Sequence, residues 1–133
     1  MKKIENKVML ITYADSMGSN LKELESALEK YFRGAVKGIH ILPFFPSSGD
    51  RGFAVIEYDR VDPAFGNWSD IDRLAEKYTL AADFMLNHVS IRSAEFQDYM
   101  EKGDASEFRN MFIHWNTFWP NGEPTEEEFN AMY

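Results

Sequence analysis

The sequence contains no cysteine among its 133 residues. Disulfides and thiolate chemistry are therefore excluded, and a reducing compartment fits that composition. Positive charge is also scarce: 14 Lys and Arg stand against 22 Asp and Glu, a net charge of −8. No basic stripe is available to displace counterions from a phosphate backbone, so no nucleic-acid partner is expected. Long hydrophobic runs are missing too. The apolar run after the charged opening, Val8 to Tyr13, is about six residues, too short for a signal peptide or a membrane span. The expectation is a cytoplasmic protein with no membrane partner. The three histidines lack a metal-ligand spacing such as H-E-x-x-H, so no metal site is expected. Aromatic residues, by contrast, are plentiful: 11 Phe, 6 Tyr and 3 Trp. They serve either a large core or a flat-walled pocket of the kind that packs on sugar C–H faces.

Val8-Met9-Leu10-Ile11-Thr12-Tyr13 is a continuous apolar run, which predicts a strand buried on both faces of a parallel sheet. Asn20 and Glu23 have capping-box spacing. Leu21, Leu24, Leu28 and Tyr31 follow at helical spacing, and Gly34 fits a C-terminal cap. A second strand is predicted from Lys37 to Phe44, ended by Pro43 and Pro46. The Gly-, Ser-, Pro- and Asp-rich stretch from Pro46 to Asn67 is too long for a plain connector and is a candidate functional loop. Ser69 is the predicted cap of a helix carrying Ile71, Leu74, Ala75 and Tyr78 on one stripe. A third apolar run extends from Leu80 to His88, with Asp83 in its middle. Helices are predicted over 93–103 and near 126–132. The alternation implies an α/β protein with a parallel sheet and right-handed crossovers. It begins either an open doubly wound sheet or an eight-fold barrel. The first strand-to-helix loop has neither G-x-G-x-x-G nor a P-loop, which disfavours nucleotide binding.

In both architectures ligands bind at the C-terminal strand ends. Three stretches qualify: Tyr13-Ala14-Asp15, the loop from Pro43 to Phe53, and Asn87-His88. Asp50, Arg51 and Phe53 place a carboxylate, a guanidinium and a ring within one Gly-rich turn. That set suits sugar hydroxyls and a pyranose face, but spacing alone favours a solvated turn with a local Asp–Arg pair. His88 ends an apolar strand, where it serves as a ligand donor or as a satisfied structural histidine. Asp83, with apolar neighbours, reads as a structural anchor. His40 and His114 have weaker cases. Trp115, Phe118 and Trp119 read as packing, with a sugar platform as the alternative.

Three of these stretches carry a resemblance. N-K-V-M-L-I-T-Y-A-D-S-M-G, from Asn6 to Gly18, and I-H-I-L-P-F-F-P-S-S-G-D-R-G-F, from Ile39 to Phe53, resemble the sucrose phosphorylases. Asp83 to Ser90 resembles the D-x-x-x-N-H region of the wider α-amylase superfamily. Phe96-Gln97-Asp98 and the Trp-rich tail extend the likeness, while Val55 stands where a proline is common. The resemblance implies the N-terminal part of a (β/α)8 barrel, about three βα units over residues 1–103, with residues 104–133 starting an inserted domain. It implies retaining glucosyl transfer from sucrose to inorganic phosphate, giving α-glucose 1-phosphate and fructose, without a cofactor. By motif, Asp50 and His88 are expected to bind donor glucose, with Phe53 as the apolar platform. Asp83 and Asn87 are expected to hold the strand end. The nucleophile and acid/base are expected downstream of Tyr133, because a complete barrel takes about 250 residues. The chain is thus expected to be a truncated, inactive piece. The alternatives are a piece of a sister phosphorylase acting on sucrose 6′-phosphate or glucosylglycerate, and a non-catalytic sugar-binding or interaction half-barrel.

Overall fold

The computed structural model describes residues 6–132; the charged opening Met1–Glu5 and the terminal Tyr133 lie outside the described residues. The chain divides into two compact units, Met1–Ala94 and Glu95–Tyr133.

In the first unit the order is β1 (Met9–Thr12), α1 (Leu21–Tyr31), β2 (Gly38–Ile41), α2 (Trp68–Lys77) and β3 (Thr79–Ala82). The strands form a parallel sheet in the order β1-β2-β3. Parallel neighbours require crossovers, and α1 and α2 supply them. Met9 pairs with Gly38, and Gly38 with Thr79. Side chains alternate along a strand, so Leu10, Ile39, Ile41 and Leu80 share one face. That face joins Leu21, Leu24 and Leu28 of α1 and Leu74 of α2 in one core. Each buried leucine contributes about 1.5–3 kcal/mol relative to exposure. The other face of β1 is open, and Ile11 is 62% exposed. The expected burial of β1 on both faces is therefore not found, because helices cover only one face.

Asn20 caps α1, its Oδ1 accepting the Lys22 and Glu23 N–H groups at 3.0 and 3.1 Å. The Glu23 carboxylate turns to the Ser19 N–H at 2.6 Å, so the predicted capping box forms only by half. Gly34 lies beyond the cap residue Phe32, in the turn that follows. The cap of α2 is Asn67 rather than Ser69, which is already helical. Asn67 Oδ1 accepts from the Ser69 N–H, and the Asp70 carboxylate accepts from the Asn67 N–H, both at 2.9 Å. Asp70 is buried and also takes Arg73 Nη2 at 2.6 Å. Burial pushes its pKa up, but the bonds from Arg73 and the Asn67 N–H outweigh that and hold it below the usual carboxylate range. Glu25 of α1 accepts from Lys77 at 2.8 Å and Arg73 at 3.3 Å, tying the two helices together.

Strand β3 stops at Ala82, where its partner β2 also ends. The remaining apolar run, Asp83 to His88, has no strand to pair with and continues as a loop; Leu86 is 83% exposed. Asp83 thus lies just past the strand rather than within it.

The second unit carries most of α3 (Ala94–Lys102), a one-turn α4 (Trp115–Phe118) and α5 (Glu126–Ala131). Phe96, Tyr99 and Phe112 pack their rings together. His114 joins them through Tyr99 Oη at 3.1 Å and the Arg109 carbonyl at 3.0 Å. Asp98 holds Lys102 and Ser106. Thr125 and Glu128 form a full capping box at α5. Among the described residues, no helix is long and apolar enough to cross a membrane.

Candidate functional site

The three loops at the C-terminal strand ends are laced to one another in the first unit. The loop after β2 folds back on itself as a small antiparallel lobe. Ser47 bridges Val55, the Ser48 N–H donates to the Ala54 carbonyl at 3.0 Å, and the Ile56 N–H to that of Pro46 at 2.8 Å. The segment after β3 is stitched to this lobe. Ser90 donates its N–H to the Val55 carbonyl at 2.8 Å, and its hydroxyl meets that of Ser48 at 2.7 Å. Tyr58 Oη accepts the Met85 N–H at 3.0 Å and donates to the Met85 carbonyl at 3.2 Å.

At the tip of the lobe, Asp50 and Arg51 take positive φ angles of 54° and 51°, uncommon for residues other than glycine. Gly52 follows with φ +98°, pressed against the end of β2: a Cβ there would lie 2.6 Å from the Pro43 carbonyl oxygen. The turn therefore demands glycine for both conformation and space.

Asp50 is exposed at this tip, and its carbonyl accepts the Phe53 N–H at 3.0 Å. Phe53 is half-buried, and its own carbonyl lies 3.0 Å from His88 Nε2. A carbonyl only accepts, so His88 Nε2 is the donor of this bond; in the neutral tautomer that fits it, Nδ1 is left as an acceptor. The structure thus joins Asp50, Phe53 and His88 in one chain of hydrogen bonds. Asp83 Oδ2 lies 3.0 Å from His40 Nε2, pairing the end of β3 with β2. Asn87 is exposed on the connecting loop.

Arg51 does not pair with its neighbour Asp50. It reaches the end of β1, where Nη1 and Nη2 each lie 3.4 Å from a carboxylate oxygen of Asp15. Its guanidinium sits 4.2 Å from the centre of the Tyr13 ring. Tyr13, Asp15 and Arg51 help to line a cavity of about 200 Å³ with Pro43, Phe45 and Gly52. Tyr13 and Asp15 stand out in the sequence as a strand end, but nothing there links them to Arg51, 36 positions beyond Asp15. Ser48 and Ser90 lie within the quoted motifs and Tyr58 within the candidate functional loop, but the sequence singles out none of the three. Among the described residues, no group of three or more His, Asp or Glu side chains is placed to hold a metal ion. The arrangement brings an exposed carboxylate and an aromatic ring, on a turn of fixed shape, together with an imidazole from the loop after β3.

A family description, alpha amylase, catalytic domain, matches residues 12–132. The chain is 55% identical over 130 residues to a sucrose phosphorylase of Streptococcus mutans, covering 98% of this chain and 27% of that protein. It is 51% identical, with the same coverage, to a sucrose 6(F)-phosphate phosphorylase of Thermoanaerobacterium thermosaccharolyticum. The crystal structure of a sucrose 6F-phosphate phosphorylase from Thermoanaerobacter thermosaccharolyticum superposes with a TM-score of 0.87 at 52% identity, covering 95% of this chain and 26% of that one. The chain spans about a quarter of the length of the curated relatives it matches. An open sheet and a closed barrel begin alike, and these likenesses separate them. The chain belongs to the alpha-amylase catalytic-domain family, and the strands and helices of its first unit form the N-terminal part of that family's (β/α)8 barrel.

Proposed function

We propose that this chain supplies the donor-glucose wall of a retaining glucosyl phosphorylase, with sucrose and inorganic phosphate as substrates. The observation that carries the reading is the hydrogen-bonded chain Asp50–Phe53–His88 at the strand ends. Asp50 accepts two glucose hydroxyls, His88 Nδ1 accepts another, and the Phe53 ring packs on the sugar's apolar face. Asp83, held to His40, fixes the start of the loop that presents His88, and Asn87 is assigned to the same loop by its motif alone.

The chemistry needs two carboxyl groups roughly 5 Å apart. One attacks the anomeric carbon as the acid protonates the departing fructose oxygen, leaving a glucosyl ester on the enzyme. Phosphate then attacks the same carbon, the ester bond breaks, and the second carboxylate takes the phosphate proton. We assign both groups to barrel strands beyond Tyr133, and read residues from Asp104 onward as the start of an inserted domain. The protein is read as cytoplasmic, in keeping with its lack of cysteine.

A second reading is supported by the nearly level identities, 55% and 51%, to proteins named for sucrose and for its phosphate ester. A segment equally similar to both carries what the two reactions share, the glucosyl unit. The acceptor, fructose or fructose 6-phosphate, is then chosen by residues elsewhere.

The 133-residue chain alone is expected to release no glucose 1-phosphate from sucrose and phosphate above a blank; clear turnover overturns that expectation. Substituted for the matching residues of the Thermoanaerobacterium enzyme, the chain is expected to support phosphorolysis. In that chimera Asp50→Asn removes a charged hydrogen-bond acceptor and should lower kcat/KM roughly 10- to 100-fold. A folded chimera indifferent to Asp50→Asn sinks the donor-wall reading.

A further inference from the structure

We propose that Arg51 is a positioning residue: by gripping Tyr13 and Asp15 it holds the tip of the lobe in its left-handed shape and so aims Asp50. The proposal rests on the donor-wall reading above and extends it to a residue that itself touches no sugar.

Three observations carry it. Asp50 and Arg51 are consecutive non-glycine residues with φ of 54° and 51°. Left-handed backbone at such residues is unfavourable and persists only where surrounding contacts over-determine it. The side chain of Arg51 provides those contacts. It stacks at 4.2 Å on the Tyr13 ring and forks at 3.4 Å onto both oxygens of Asp15. The third is the anchor. Tyr13 and Asp15 immediately follow β1, whose last residue Thr12 accepts the Leu42 N–H at 2.9 Å. The grip therefore ties the lobe to the sheet across 36 residues of sequence. Asp50, next in the chain, inherits its direction from that tie. A planar guanidinium does both tasks at once, stacking and forking, which an ammonium cannot.

The test uses the full 133-residue chain, with methyl α-D-glucopyranoside as the probe and amide NMR shifts as the readout. Three variants are compared: Arg51→Gly, Asp15→Asn and Asp50→Asn. Glycine at position 51 makes the left-handed backbone easy while removing the grip, so it separates backbone preference from side-chain tethering. Expected is saturable binding by the wild type that Asp50→Asn abolishes. Arg51→Gly should weaken it about fivefold, the size of one exposed ion pair plus one cation–π contact. Asp15→Asn should weaken it by less, at an unchanged melting temperature. Amide exchange at Gly52 and Phe53, whose N–H groups close the turn, should speed up in Arg51→Gly and not elsewhere in the sheet. Binding lost with Asp50→Asn but unaltered by Arg51→Gly and Asp15→Asn overturns this proposal alone. A wild-type chain that shows no saturable response, or binding indifferent to Asp50→Asn, overturns the donor-wall reading and this proposal with it. Should Arg51→Gly fail to fold, Asp15→Asn decides by the same two readouts.

Discussion

Gly52→Ala should do more damage than its single methyl suggests, and Gly34→Ala shows why. Both glycines are left-handed, with φ of +98° and +81°. An alanine at either site meets the steric cost of that conformation, roughly 1–2 kcal/mol. Around Gly34 a Cβ would find nothing within 4 Å, so the conformational cost is the whole effect. At Gly52 the new Cβ would lie 2.6 Å from the Pro43 oxygen, where ordinary contact begins at 3.4 Å. About 0.8 Å must open up. Pro43 cannot yield easily: it is buried, follows β2 closely, and its φ is fixed by its ring. The tip must move instead, at a further cost of about 1–3 kcal/mol, the usual size of overpacking. Urea melts of the two variants should therefore differ by roughly 1–3 kcal/mol, with Gly52→Ala the weaker. The donor-wall reading adds that Gly52→Ala displaces Asp50 and Phe53 and lowers glucoside affinity, while Gly34→Ala, at the opposite strand ends, leaves affinity unchanged. Equal destabilisation by the two substitutions would refute the close approach to Pro43.

Asp70→Asn keeps the size of a buried side chain but removes the charge and turns one of its two acceptor oxygens into a donor, so Arg73 or the Asn67 N–H loses its acceptor; about 2 kcal/mol of stability should be lost in a urea melt, with Arg73's partial exposure reducing the figure for a fully buried pair. The folded-state pKa of Asp70 is depressed, so its stabilisation is present above the unfolded-state value and disappears as pH falls through the folded one. Acid titration of stability should accordingly be shallower in Asp70→Asn than in wild type. Tyr58→Phe leaves the Met85 N–H and carbonyl without their partner; a loss of about 1–2 kcal/mol and faster exchange of the Met85 amide are expected. Leu28→Ala, at a site with 0% exposure, should cost about 2–5 kcal/mol by calorimetry, enough to unfold a marginal chain.

The elements were legible because their signals are local. Leucines at helical spacing predict α1, and the apolar run predicts β1, from residues that sit side by side in the chain. What failed were features set by partners. Burial of β1 depends on what covers Met9 and Ile11, and the hydrophobic run cannot report that. The end of β3 depends on where β2 stops, not on Asp83 to His88, whose composition still looks like strand. The cap of α2 was shifted by two residues because Ser69 and Asn67 are both good caps. The choice falls on Asn67 because Asp70 stands three residues on and reciprocates. At the candidate site, the sequence places Asp50, Phe53 and His88 at strand ends and the structure links them by hydrogen bonds, whereas Arg51's partners have no local signal. The neighbour Asp50 offered a plausible ion pair, but a left-handed backbone at both residues accompanies a side chain turned to Asp15.

His88 and Phe53 reach the site from different strand ends, yet their separation is not set by the sheet alone. It is fixed by bonds made directly between the loops: His88 to the Phe53 carbonyl, Ser90 to Val55 and Ser48, and Tyr58 to Met85. Any one of them is worth about 1 kcal/mol and is easily broken. Five in parallel over one short loop act together, since each is closed at little extra entropy once its neighbour holds. The open face of β1 affects stability, but none of these bonds crosses it. On the donor-wall reading, Asp50, Phe53 and His88 can thus keep their arrangement through bonds made within the loops themselves. Binding and turnover should part company here: a weak, Asp50-dependent affinity for a glucoside, with no glucose 1-phosphate formed.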